Sequence, residues 1–97
     1  MDWVEKTKAS LTLDEKVRQL FVQISMGNDL ATIESVMAGQ PGGIHRFAGA
    51  DPAEAWKATR HALELAKVPP FVTGDLEGGG PAPAFLTPMQ RQLGLTA

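Results

Sequence analysis

Three short apolar runs separated by capped helical stretches constrain this chain more than any other feature. The strands are expected near 20–25 (LFVQIS), 43–47 (in PGGIHRF) and 70–75 (in VPPFVTGD), each bounded by glycine, proline or asparagine. The gaps between them are about 17 and about 23 residues long, each holding one helical pattern, and crossovers between parallel strands need a dozen or more. An antiparallel hairpin would need only a few. The alternation therefore predicts an α/β fold with a parallel sheet.

The helix starts are written in side chains that accept backbone N–H groups. Thr12 and Glu15 form a capping box before DEKVRQL, and Asp14 and Glu15 suit the positive end of the helix dipole. This first helix is expected over 13–20, after a short helical lead-in at 2–9 in which Trp3 and Val4 are the packing residues. Asp29 caps a helix over 29–38, with Leu30, Ile33, Val36 and Met37 on one face and Gly39 as its stop. Asp51, Pro52 and Glu54 open a third helix, over 52–66. Its buried stripe is expected to be Ala55, Thr59, Ala62 and Ala66, with Trp56 and Leu63 beside it in the core. Thr87, Pro88 and Gln90 mark one more helix start.

Composition removes several classes of function. Lys plus Arg number 9 and Asp plus Glu 11, a balance that offers neither a basic face for nucleic acid nor one for a membrane. There is no cysteine, so disulfides, thiolate nucleophiles and zinc–cysteine sites are excluded. The opening MDWVEKTKAS lacks the apolar core of a secretory signal, and no stretch approaches the ~20 apolar residues of a membrane helix. A cytoplasmic location is the expectation.

Chemistry is concentrated in GDLEGGG, residues 74–80. Ligands of parallel sheets bind at the carboxyl ends of the strands, which is where Asp75 falls. Gly78, Gly79 and Gly80 would let backbone approach a ligand closely. A ligand-binding loop and an ordinary solvated loop are both open on these grounds. A phosphate loop is not, because Gly80 and Pro81 stand where Lys and Ser/Thr belong. Asp75 and Glu77 could serve an oxygen-seeking cation, but no third ligand accompanies them, and neither a metal nor a cofactor is expected. His45 and Arg46, adjacent near the end of the second strand, point to opposite faces of the sheet. One of them can face a ligand at the strand ends. His61 reads as surface or packing.

Taken in order, LTLDEKVRQLF, GGIHRF and VPPFVTGDLEGG resemble the opening of glycoside hydrolase family 3, over roughly residues 10–97. That family includes β-glucosidases, β-xylosidases and β-N-acetylhexosaminidases. The resemblance implies that residues 1–97 are the N-terminal portion, about three βα units, of a (β/α)8 barrel. It implies a retaining β-glycosidase, β-glucosidase-like, acting on a β-linked sugar. Asp75 would accept hydrogen bonds from sugar hydroxyls, and Glu77 and the glycines would shape the loop around them. Together with His45 and Arg46, these acids make up the candidate substrate-binding set. No position matches the family's nucleophile or its acid/base residue, so no catalytic residue is assigned and the chain alone is expected to be inactive and to self-associate. The hexosaminidase branch follows E-G-G with arginine, where this chain has Gly80 and Pro81; His45 and Arg46 stand where many relatives are aliphatic. A non-catalytic sugar- or metabolite-binding module and a ligand-free interaction protein are the alternatives.

Overall fold

A computed structural model describes residues 2–47 and 51–75. The elements follow in the order α1 (Trp3–Ser10), α2 (Leu13–Arg18), β1 (Val22–Met26), α3 (Leu30–Met37), β2 (Gly43–Phe47), α4 (Pro52–Leu65) and β3 (Phe71–Thr73). The strands form one parallel sheet in the order β1-β2-β3. Val22 pairs with Gly43 and Met26 with Phe47, while Gly43 pairs with Phe71 and His45 with Thr73. All three carboxyl ends therefore lie at one edge, and the expected α/β class and strand direction are both observed. The helix start at Thr87 lies outside the described residues.

Local capping accounts for where the helices begin. The Thr12 hydroxyl accepts from the Glu15 N–H at 3.2 Å, and the Glu15 carboxylate accepts from the Thr12 N–H at 2.8 Å, completing the box. Asp29 accepts from the Thr32 N–H at 2.8 Å. At α4 a second capping box, which Asp51 and Glu54 are spaced to make, is incomplete. Asp51 accepts from the N–H groups of Ala53 and Glu54, but the Glu54 carboxylate takes the Lys57 ammonium at 2.8 Å instead of reaching back.

Strand boundaries moved where the apolar run continues through a turn. Leu20 and Phe21 carry apolar side chains but close the end of α2, and β1 starts only at Val22. β3 is three residues long, with Gly74 and Asp75 beyond it.

One face of the sheet packs against α3 and α4. The core is Ile33 and Met37 of α3, Ile44 of β2, and Ala58 and Ala62 of α4. Each large side chain buried there contributes roughly 1.5–3 kcal/mol. The α4 stripe is rotated from its expected position: Ala55, Ala58 and Ala62 are buried, while Trp56 is 61% exposed and Leu63 also lies outside. Small residues let α4 approach α3 closely, and an indole on that line would hold them apart. Trp56 instead carries the Arg60 guanidinium 5.3 Å from its ring centre. Leu30, in the first turn of α3, is exposed too, as are Trp3 and Val4, expected to pack.

The opposite face of the sheet is uncovered among the described residues. Val22, Ile24, Met26 and Phe71 are exposed on it, Ile24 at 60% and Phe71 at 80%. Among the described residues α3 and α4 lie against the sheet, both on the side of Ile44.

Candidate ligand site at the carboxyl edge of the sheet

Period-two alternation sorts the side chains of β2. Ile44 and Arg46 point to the helix layer and are buried; His45 and Phe47 point to the uncovered face and are half-buried. The pairing of β2 with β3 sets Thr73 beside His45 on that face. Asp75, two residues further along, comes to the same side. His45 Nδ1 lies 3.0 Å from Thr73 Oγ1, and His45 Nε2 lies 3.5 Å from Asp75 Oδ1. The Phe47 ring meets the imidazole edge-on, with centroids 5.1 Å apart. The Thr73 hydroxyl meets one ring nitrogen of His45, and the Asp75 carboxylate stands near the other.

The Asp75 side chain remains 47% exposed. Among the described residues it is not drawn into a helix cap, so it can accept hydrogen bonds from a polar ligand above the sheet edge. Phe47 adds a flat apolar surface next to it. A half-exposed carboxylate, a hydroxyl and an aromatic ring on one surface suit a ligand with several hydroxyls and an apolar side. Among the described residues no group of three or more His, Asp or Glu is placed to hold a metal ion.

Neither a family model, nor a curated protein, nor a solved structure matches the chain.

Of the four residues singled out in the sequence, the structure brings together two, His45 and Asp75. Arg46 is separated from them by the sheet itself. Its guanidinium lies on the helix side, 5% exposed, and donates from Nη2 to Asn28 Oδ1. Glu77 lies outside the described residues. Thr73 is the residue that sequence reasoning missed. Its position two before Asp75 in an extended run was the available signal, since i and i+2 share a face.

A concave surface lies elsewhere, between the start of α3 and α4, lined by Asn28, Asp29, Trp56, Lys57 and His61 among others. His61 pairs there with Glu34 at 3.1 Å, in keeping with a packing role. Among the described residues no helix is long and apolar enough to cross a membrane.

Proposed function

We propose that the chain supplies the first three βα units of a (β/α)8 glycosidase domain similar to family 3, with Asp75 holding hydroxyls of a β-linked sugar. The observation that supports this most is the position of Asp75. It stands at the common carboxyl edge of three parallel strands, on the face away from the helices, with His45 beside it. In a barrel that face is the interior, and its carboxyl end is where substrates bind. The exposed Val22, Ile24 and Phe71 are the side chains that further strands would cover.

The proposed role of Asp75 is recognition. Two carboxylate oxygens can accept from two neighbouring hydroxyls, each charged hydrogen bond contributing about 1.5–3 kcal/mol. Retaining hydrolysis needs two carboxyl groups ~5–5.5 Å apart across the scissile bond. Asp75 is paired with a histidine and has no such partner among the described residues.

The test grafts residues 1–97 in place of the matching segment of a family 3 β-glucosidase and follows nitrophenol release from a nitrophenyl β-glucoside. The chimera is expected to turn over, and Asp75→Asn to lower kcat/KM by about 10- to 150-fold, the equivalent of one charged hydrogen bond. The 97-residue chain alone is expected to release nothing above background. An unchanged kcat/KM in the Asp75→Asn chimera would remove the sugar-binding role.

A further inference from the structure

Arg46 and Ser25 are register partners on β2 and β1, both directed into the helix layer and both buried. Arginine is purely a donor, with five N–H groups. Asn28 Oδ1 accepts from Nη2, but among the described residues Nε and Nη1 have no acceptor, and neither does the Ser25 hydroxyl find a partner. No carboxylate among the described residues forms an ion pair with the guanidinium. The acid closest in sequence to Asn28, Asp29, is committed to the cap of α3. Asp51 is likewise committed to the cap of α4. Burial pushes the Arg46 pKa down from its ordinary value. An unpaired buried cation is expensive, and buried donors without acceptors are rare in folded proteins.

We propose that Ser25 and Arg46 form a binding site for a small oxyanion of the phosphate or carboxylate class, taken from solution. The chemistry is complementary in charge and in hydrogen bonding. An oxyanion is an acceptor with several oxygens, and a guanidinium beside a hydroxyl presents several donors to it. Access is by way of Asn28, which contacts Arg46 and also lines the open cleft between α3 and α4. On the rim of that cleft Lys57 is paired with Glu54 and Arg60 with Glu64, whereas Arg46, behind Asn28, has no carboxylate partner among the described residues. The site is separated by the sheet from Asp75, and it stands whether or not Asp75 binds a sugar.

Inorganic phosphate is the probe. The ¹⁵N-labelled 97-residue chain is titrated with it at constant ionic strength balanced by sodium chloride, and the arginine Nε–H resonances are followed, with Arg46 assigned by its loss in Arg46→Met. The expected result is a saturable shift of the Arg46 resonance, with the exposed Arg18 and Arg60 unmoved. Ser25→Ala is expected to weaken the apparent affinity about tenfold, the loss of one hydrogen bond to a charged group. Should that variant fail to fold, the titration of the unaltered chain decides alone. No saturable shift, or equal shifts at all arginines, overturns the proposal. It is also overturned if Glu77→Gln moves the Arg46 resonance without phosphate, because the chain's own carboxylate then occupies the site.

Discussion

Single residues decide more here than their sequence neighbourhoods suggest. Gly42 shows how. Its N–H donates to the Arg18 carbonyl at 3.3 Å, so the chain entering β2 runs against the end of α2. A Cβ at this position would lie 1.8 Å from the Gln19 carbonyl oxygen and 2.6 Å from its carbon. Those atoms are backbone and cannot rotate away. Gly42→Ala is expected to cost about 1–3 kcal/mol in urea denaturation, in the range of overpacked sites. At Gly39 a Cβ would come no closer than 3.4 Å to any neighbour, so Gly39→Ala is expected to be far milder. Glu15 carries a pH signature. The Lys67 ammonium and then the Thr12 backbone N–H bind its carboxylate and lower its pKa from 4.5 to about 2. A carboxylate with a depressed folded-state pKa stabilises the fold above its unfolded value and loses that contribution as pH falls through the folded one. Stability is therefore expected to decline between pH 4.5 and about 2. In Glu15→Gln this part of the pH profile should flatten when unfolding is followed by circular dichroism.

At the scale of elements, Gln40 is the junction. It has φ of 49°, in the left-handed region that non-glycine residues enter at a cost. Its side chain compensates. Nε2 donates to the carbonyls of Met37 and Leu65 at 3.1 and 2.9 Å, and Oε1 accepts from the Lys67 N–H at 2.7 Å. The Gln19 amide in turn donates to the Gln40 carbonyl at 2.9 Å. One residue thus joins the ends of α2, α3 and α4. Gln40→Ala is expected to lose about 1–3 kcal/mol, since it leaves backbone groups of the α4–β3 connection without partners. Gln40→Gly tests the balance. It relieves the left-handed backbone but removes the same hydrogen bonds, and should remain less stable than the unaltered chain. Equal stability of Gln40→Gly and the unaltered chain in urea would show that the junction does not depend on these bonds. Nothing in the local sequence marks Gln40. Gly39 beside it carries the expected helix stop, while the residue that adopts the left-handed backbone is the glutamine, because Leu65 and Lys67 are there to receive its amide.

For the whole molecule the uncovered sheet face is the dominant feature. Val22, Ile24, Met26 and Phe71 share it, and β1 and β3 each have one side unpaired among the described residues. Unpaired strand edges and an exposed apolar face both favour association with another chain. The 97-residue chain is expected to elute from size exclusion as a concentration-dependent oligomer. The double variant Ile24→Lys, Phe71→Lys is expected to weaken that association at least about tenfold, given about 1.5–3 kcal/mol for each apolar side chain buried. A monomer at all concentrations would show that the face is already satisfied within the chain.

Helix starts were legible from residue order because their hydrogen bonds close within three residues. Thr12 with Glu15, Asp29 with Thr32, and Asp51 with Ala53 need no distant partner. The same holds for the parallel class, since a crossover helix between short apolar runs leaves little other choice. Which face of α4 turns inward was not written locally. Ala58 and Trp56 lie on neighbouring lines of one helix, and the closeness of α3 selected the smaller. The partnership of Lys67 with Glu15, 52 residues apart, and the approach of His45 to Asp75 depend on how the chain returns to the sheet. Local order settles which groups a turn can satisfy by itself. Long-range approach settles which of the remaining groups meet, and it placed Arg46 in the helix layer and His45 beside Asp75 at the carboxyl edge of the sheet.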